Sequence, residues 1–282
     1  MNRKLRIVSL VLVGLLLVLF PLANLEKVNA QNGGGTQLTY YGHSAFKLVT
    51  PSGKVLLIDP WLTNPNNSTG QQDLAQLDRV DFVLVTHGHF DHIGNAVEIA
   101  QSTGAQLVAT DDLRLAMVGY ENFPENLAKS ETSGNFGGTV SLLDGEVEVT
   151  FVPAVHSSAI TPLPEGAKNI HNGGSPSGLV ISVKDGLVVY HTGDTDVFSD
   201  MSLIPRFHDI DVMLVCIGDH ATMDPERAAQ AVTIVKPKIA VPIHYGTFPL
   251  LSGTPEEFAT ALEQQGSAAQ LEVMEVHQTL QL

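Results

Sequence analysis

The sequence predicts a single layered α/β domain, and three observations support this fold class. The chain has 282 residues, of which 44% are hydrophobic and only 16% are charged, so it contains enough apolar side chains for a packed core. Residues 37–59 consist of short β-rich runs separated by turns, whereas the last third alternates strand and helix patterns. Strands and helices that are interspersed without a long linker are typical of sheets covered by helices.

The first half of the chain predicts a strand-rich beginning followed by alternating elements. Strands are predicted at residues 37–41, 45–50, 54–59, 81–86, 106–110, 139–143 and 147–153. Helices are predicted at about 93–102 and at 111–118. The turn Pro51-Ser52-Gly53 predicts a hairpin between the second and third strands.

The second half adds a hairpin and two capped helices. Strands are predicted at residues 177–183, 187–192, 212–217, 239–242 and 271–276. Asp224, with Pro225 after it, predicts the start of one helix. Thr254 and Glu257 have the spacing of a capping box and predict the start of the last helix.

The first thirty residues have the order of regions found in a secretory signal peptide. Arg3, Lys4 and Arg6 precede an apolar run over residues 7–23, and Val28-Asn29-Ala30 offers small residues for cleavage. An uncleaved membrane anchor is the alternative, but the run is slightly short for a span of about 20 residues. We predict a signal peptide at 1–30, a flexible leader at 31–35 and a folded domain at 36–282, exported to the periplasm or the extracellular space.

The charge balance argues against nucleic acid as a partner. The chain has 15 Lys and Arg against 30 Asp and Glu, a net charge of −15. Removal of residues 1–30 leaves 11 basic and 29 acidic residues, a net charge of −18. Phosphate binding needs a cationic surplus, which is absent here. We expect contact with a membrane only through an uncleaved N-terminal segment, and the sequence leaves the oligomeric state open.

Histidine and aspartate follow strand ends in a pattern that predicts a metal site. His87, His89, Asp91 and His92 come directly after an apolar run, and imidazole and carboxylate suit zinc and neighbouring metals. A solvated histidine-rich turn is the alternative, but it does not explain the buried strand before the cluster. Three further candidates each follow an apolar run, namely His156, Asp194 and His244. The lone cysteine, Cys216, excludes metal sites built from several cysteines.

These residues resemble the signature of the metallo-β-lactamase superfamily, H-x-H-x-D-H followed by a distant His, Asp and His. Within this superfamily, the chain resembles the uncharacterised metal-dependent hydrolase family related to L-ascorbate-6-phosphate lactonases. The supporting stretches are Gly42-His43-Ser44-Ala45-Phe46, Leu57-Ile58-Asp59-Pro60, Tyr190-His191-Thr192-Gly193-Asp194-Thr195, Thr222-Met223-Asp224-Pro225-Glu226 and Pro242-Ile243-His244-Tyr245-Gly246-Thr247-Phe248-Pro249. The resemblance implies a four-layer αββα sandwich with the metals at one edge of the two sheets.

The resemblance also implies how seven residues share two divalent metal ions. One metal is expected to bind His87, His89 and His156, and the other is expected to bind Asp91, His92 and His244. Asp194 is expected to bind both metals. Zinc is the expected metal, while manganese and iron suit the same ligands. Asp59 is expected to orient a ligand histidine.

The implied activity is hydrolysis, in which a metal-bound hydroxide attacks an ester, lactone or related bond of a small molecule. Asp91 is expected to act at the metals, and His43 and His220 are candidates for proton delivery to the leaving group, with a structural role as the alternative for each. A phosphodiesterase and a metal-binding protein without turnover are the alternative functions.

Overall fold

The computed structural model describes residues 35–281 except Pro164 and Ala167. The predicted signal peptide and residues 31–34 of the predicted leader lie outside the described residues. Within the described part of the chain, no helix is long and apolar enough to cross a membrane.

One mixed sheet contains seven strands from both ends of the described chain. They are β1 (Gln37–Tyr40), β2 (Phe46–Val49), β3 (Val55–Ile58), β4 (Phe82–Leu84), β5 (Gln106–Thr110), β6 (Ser133–Gly134) and β14 (Thr279–Gln281). Their order is β14-β1-β2-β3-β4-β5-β6. The pairs from β14 to β3 are antiparallel, which confirms the predicted hairpin, and those from β3 to β6 are parallel.

The second mixed sheet also has seven strands. They are β7 (Thr139–Leu142), β8 (Val147–Pro153), β9 (Ser177–Val183), β10 (Val188–His191), β11 (Val212–Cys216), β12 (Ile239–Ile243) and β13 (Gln270–Leu271). Their order is β13-β12-β11-β10-β9-β8-β7. The pairs from β7 to β10 are antiparallel and those from β10 to β13 are parallel.

Seven α-helices accompany the sheets in the described residues. They are α1 (Gly70–Ala75), α2 (Phe90–Ile93), α3 (Ala96–Thr103), α4 (Asp111–Glu121), α5 (Ile204–Phe207), α6 (Pro225–Val235) and α7 (Pro255–Gln264). The predicted caps are confirmed: the Asp224 carboxylate accepts from Arg227 N–H, and Thr254 and Glu257 form a capping box. A Ser, Thr or Asp cap contributes about 1 kcal/mol to helix stability.

The side chains of β4 show how the layers are built. Phe82 and Leu84 join a core that includes residues of both sheets, whereas Val83 joins a second core with Ile99 of α3 and Leu113 of α4. Alternate residues of a strand point to opposite faces, so this sheet lies between the other sheet and the helices. Helices α6 and α7 pack on the second sheet and complete the predicted αββα sandwich.

Two predicted elements differ from the structure, and two observed helices were not predicted. The helix predicted at 93–102 is two helices that break at Gly94, where φ is +37° and a Cβ would collide with the Trp61 backbone. The strand predicted at 271–276 is wrong beyond Leu271, since the chain leaves the second sheet there and pairs β14 with β1 of the first. Helices α1 and α5 have no counterpart among the predicted elements.

Strand direction explains why the candidate site residues meet. Strands β1, β3 and β4 run the same way in one sheet, and β8, β10 and β12 share a direction in the other. The carboxyl ends within each set therefore lie at one edge of their sheet, which is the common position of binding sites in α/β proteins. Each predicted ligand or ligand segment follows one of these strand ends.

Candidate metal centre

The structure brings the seven predicted ligands together as two adjoining groups. One group contains His87, His89, His156 and Asp194, and the other contains His43, Asp91, His92 and His244. Within each group the ligand atoms lie within 4.8 Å of one another. His43, predicted as a candidate for proton delivery, thus lies among the ligands of the second group.

Three imidazole nitrogens converge in the first group. His89 Nδ1 lies 3.0 Å from His87 Nε2 and 3.2 Å from His156 Nε2. Burial lowers the pKa of His87, His89 and His156, so the rings are neutral at pH 7. Neutral imidazole nitrogens that converge in this way can direct their lone pairs at one cation. The donor set is therefore suited to a metal ion.

A hydrogen-bond chain that starts at Asp59 sets the tautomers of two ligand histidines. His92 Nδ1 donates to Asp59 Oδ2 at 2.7 Å, which leaves His92 Nε2 to face the centre. The Thr86 hydroxyl donates to Asp59 Oδ2 at 2.8 Å and so accepts from His87 Nδ1 at 3.0 Å. With metal ions bound, both histidines would therefore present an unprotonated Nε2 to them.

Asp194 lies between the two groups. Its Oδ1 is 3.2 Å from His92 Nε2, and its Oδ2 is 3.1 Å from His244 Nε2 and 3.5 Å from His156 Nε2. Burial raises the pKa of Asp194, but the charges of His244 and His92 outweigh it and hold the pKa well below its usual range. One carboxylate thus reaches ligands of both groups, as a bridging ligand requires.

Several of these buried atoms have no hydrogen-bond partner among the described residues. They are His92 Nε2, Asp194 Oδ1 and both ring nitrogens of His244. The approaches to Asp194 are close but lack hydrogen-bond geometry. A buried polar atom left without a partner costs about 1–3 kcal/mol, so natural sites supply one. Two metal ions would supply the missing partners for most of these atoms, and the residues present fit them.

His43 is completely buried, and both of its ring nitrogens are engaged. Its Nε2 lies 3.1 Å from Asp91 Oδ2 and its Nδ1 lies 2.8 Å from Thr247 Oγ1. An ionised carboxylate only accepts, so His43 Nε2–H donates to Asp91 and the Thr247 hydroxyl donates to His43. Burial, reinforced by the charge of His244, lowers the pKa of His43 to about 4. These contacts hold the Asp91 carboxylate in place.

His220 belongs to neither group. It is exposed on the loop after β11, and its neighbour Ala221 lines the cleft at the metal centre. His191 is a packed residue, because its Nε2 bonds to the Ser44 carbonyl at 2.9 Å and its Nδ1 accepts from Gly193 N–H at 3.0 Å.

Sequence reasoning missed the hydroxyl groups that orient the ligands. Thr86 directly precedes His87, and Thr247 follows His244 by three residues. A threonine beside a ligand histidine was the available signal. The expected contact of Asp59 with a ligand histidine is present at His92.

Backbone strain gathers at the same edge of the sheets. His43, Asp59 and His244 have φ values of +56°, +42° and +58°. A residue other than glycine in this region costs about 1–3 kcal/mol, and such residues are concentrated at functional sites. Each of the three directs a side chain into the centre or onto one of its ligands.

A cleft of about 420 Å³ opens onto the centre. Its lining residues are His89, Phe90, Asp91, His156, Thr161, Pro162, Asp194 and Ala221. A larger hollow of about 530 Å³ lies between β8 and α5 and touches none of the predicted ligands. The smaller cleft is therefore the one that can present a substrate to metal ions.

Comparison with known proteins identifies the family. Residues 54–245 match the model of a family described as the beta-lactamase superfamily domain. The chain belongs to the metallo-β-lactamase superfamily. This confirms the predicted superfamily.

The relatives place this superfamily member among metal-dependent hydrolases. A UPF0173 metal-dependent hydrolase from Thermodesulfovibrio yellowstonii is 50% identical over 268 residues, 95% of this chain and 97% of the relative. One from Anaeromyxobacter sp. is 49% identical over 85% of each chain. The structure of Igni18, a metallo hydrolase from Ignicoccus hospitalis, is 35% identical with a TM-score of 0.72, over 88% of this chain and 98% of that one. The relation to L-ascorbate-6-phosphate lactonases stays a prediction.

Proposed function

We propose that this member of the metallo-β-lactamase superfamily is an exported hydrolase that uses two metal ions to cleave an ester, lactone or related bond of a small molecule. The observation that carries the proposal is the pair of ligand groups that share Asp194. A single metal would leave one of the two groups of buried nitrogens without a partner.

The proposed division of the ligands is the one that the family resemblance implies, and the two groups of contacts support it. His87, His89 and His156 would hold one metal, and Asp91, His92 and His244 the other, with Asp194 shared. Bound divalent metals would lower the pKa of a bound water to about 7 and polarise the oxygen of the scissile bond. Two divalent ions with two carboxylates have a net charge of about +2, so this centre attracts a substrate oxygen although the chain is acidic.

The surrounding residues orient the ligands and move a proton. Asp59 and Thr86 set the tautomers of His92 and His87, and His43 holds Asp91. We assign His43 to positioning, since both of its nitrogens are engaged. His220 is the proposed donor of a proton to the leaving group, because it is exposed and adjoins a residue that lines the cleft.

Zinc is the proposed metal, and export is proposed from the N-terminal segment. The match to the Thermodesulfovibrio relative spans 268 residues of this chain, more than residues 35–282 contain, so it extends into that segment. Expression of the full chain in a bacterium and N-terminal sequencing of the exported protein should find Gln31 first. A full-length chain retained in the cytoplasm would contradict export.

The enzymatic proposal is tested with purified mature protein. We expect about two zinc ions per chain by elemental analysis, and turnover of an ester or lactone in a panel that also contains thioesters, phosphodiesters and lactams. The double variant His87→Ala with Asp194→Asn should lose both properties, whereas His208→Ala, which lies beside the hollow at α5, should keep them. Unchanged activity in the double variant would refute a metal-dependent reaction.

A further inference from the structure

Three aromatic side chains from separate segments form one surface beside the metal centre, which we call the aromatic wall. Trp61 follows β3, Phe90 begins α2 and Phe248 follows β12. The ring centroids are 5.5 Å apart for Trp61 and Phe90, 5.9 Å for Trp61 and Phe248, and 6.4 Å for Phe90 and Phe248. These separations are those of interacting aromatic pairs.

We propose that the aromatic wall binds a neutral apolar group of the substrate, aryl or alkyl, next to the bond that is hydrolysed. This inference rests on the proposed function. The expected substrates are neutral molecules with an aryl or alkyl substituent, and we expect anionic substituents to weaken binding.

The wall is rigidly connected to the ligands. Phe90 lies between His89 and Asp91 in the sequence, and Trp61 and Phe248 pack against the His43 ring at 5.3 and 6.1 Å. A group that rests on the wall is therefore held at a fixed place relative to the metal centre.

The opposite side of the cleft is fixed to the same segment. Phe90 N–H donates to Thr161 Oγ1 at 3.1 Å, and Gly88 N–H donates to Ser158 Oγ at 3.1 Å. Gly88 and Gly173 have no room for a side chain, because a Cβ on either would press on residues 158–160. The cleft is thus formed before a ligand arrives, and binding there costs little ordering entropy.

The cleft lining other than the predicted metal ligands is mainly apolar. Phe90 is 41% exposed, and with Pro162 and Ala221 it forms the surface between the ligands and solvent. When a ligand covers an exposed aromatic ring at the mouth of a site, the binding free energy improves by about 25 cal/mol for each Å² of apolar surface removed from water. This gain is available only to an apolar substituent.

Charge disfavours an anionic substituent. Among the described residues that line the cleft, none is Lys or Arg. The adjoining hollow beside Ala221 contains Arg227, but its guanidinium is ion-paired with Asp196, and Asp219 and Asp224 lie in the same hollow. A carboxylate or phosphate placed beyond the scissile bond would find no unpaired Lys or Arg among the described residues that line this hollow and would be repelled by the acidic side chains.

Trp61 is the only tryptophan of the chain, so its fluorescence reports on the wall directly. The test uses zinc-loaded mature protein and three chelating ligands that differ in one substituent: acetohydroxamate, benzohydroxamate and 4-carboxybenzohydroxamate. We expect benzohydroxamate to quench Trp61 and to bind about 10-fold more tightly than acetohydroxamate. The carboxylated ligand should bind more weakly than benzohydroxamate.

Variants of two wall residues and a matched control test whether the tighter binding of benzohydroxamate comes from the aromatic wall. Phe90→Ala and Phe248→Ala should abolish the preference for the phenyl ligand over acetohydroxamate, measured on zinc-loaded protein in each case, whereas Phe90→Leu should keep part of it. Phe207→Ala, which removes a 76% exposed ring at α5, should behave as wild type. Equal binding of all three ligands, tighter binding of the carboxylated one, or unaltered preference in both alanine variants would overturn the proposal.

A ligand without a chelating group separates this inference from the proposed function. If zinc is absent and no hydroxamate binds, the metal-dependent function fails, and 2-phenylethanol then tests the wall alone. Saturable quenching of Trp61 by 2-phenylethanol that is lost in Phe90→Ala supports the wall, and its absence overturns it. Hydroxamate binding without a phenyl preference would agree with the proposed metal centre and would overturn only the proposed role of the aromatic wall.

Discussion

Replacement of Asp59 by asparagine tests whether this carboxylate controls the metal ligands. Asp59 Oδ1 accepts from Thr86 N–H at 2.8 Å, and Oδ2 accepts from both the Thr86 hydroxyl and His92 Nδ1. Asparagine has one acceptor and one donor at these places. If its NH2 occupies the Oδ1 position, it faces the Thr86 N–H. If the NH2 occupies the Oδ2 position, it faces His92 Nδ1 and favours the tautomer with a proton on Nε2, which blocks the metal.

The expected losses of metal affinity and stability follow from the hydrogen bonds that asparagine cannot form. Residues that orient ligands typically contribute 10- to 100-fold to metal affinity, so we expect Asp59→Asn to weaken binding at the His92 side by about 10- to 100-fold. At least one buried hydrogen bond is also lost, which costs about 1–3 kcal/mol of unfolding free energy in the metal-free protein. Competition with a zinc chelator measures the first quantity and chemical denaturation the second.

Asp81→Asn provides the matched control, because the Asp81 side chain bonds to the first residue of β3, whereas Asp59 follows the last residue of that strand. Asp81 Oδ2 accepts from Val55 N–H at 2.9 Å just before β4, away from the ligands. We expect this variant to lose some stability and no metal affinity. If Asp59→Asn binds both metals with wild-type affinity, the proposed control of ligand tautomers by Asp59 is wrong.

Three further predictions concern buried groups. His43→Ala should weaken the metal site that contains Asp91 by about 10-fold, and His43→Gln should restore part of this because its amide can still donate; equal, wild-type affinity in both variants on metal titration would rule out the positioning role. Gly218→Ala should lower both stability and metal binding, since a Cβ there would collide with the His244 carbonyl, whereas Gly246→Ala, with open space and a φ of +65°, should cost only about 1–2 kcal/mol in thermal denaturation. Cys216 should resist iodoacetamide at pH 8 until the chain is unfolded, because burial raises the pKa of its thiol to about 11, and fast labelling of the native protein would contradict this. Since this pKa is above the ordinary value of 9.0, the contribution of the protonated thiol to folding stability is complete below pH 9 and is lost as the pH rises through 11.

The sequence predicted the strands of the site because burial on both faces leaves a clear pattern. Strand β11 is buried at all five positions and reads as an uninterrupted apolar run. The polar residues that follow such runs necessarily lie at a sheet edge, which is why the ligand candidates could be found one by one. The resemblance then grouped them.

Other features depend on contacts that a single sequence does not encode. Residues 271–276 are mainly apolar, as a buried strand is, but the chain crosses from one sheet to the other after Leu271. A local pattern contains no information on that step. Helix α1 lacks an apolar period, since it contains Gly70, Gln71, Gln72 and Asp73. The tautomers of His87 and His43 could be assigned only from the distances between their ring nitrogens and the hydroxyl groups of Thr86 and Thr247.

The metal content of the purified mature protein tests most directly whether Asp194 joins two metal sites. Elemental analysis should find about two metal ions per chain in the wild type. Asp194→Asn should reduce the occupancy of both sites, because its side chain contacts ligands of each group. A wild-type protein that binds a single ion, or an Asp194→Asn variant that retains two, would contradict the account.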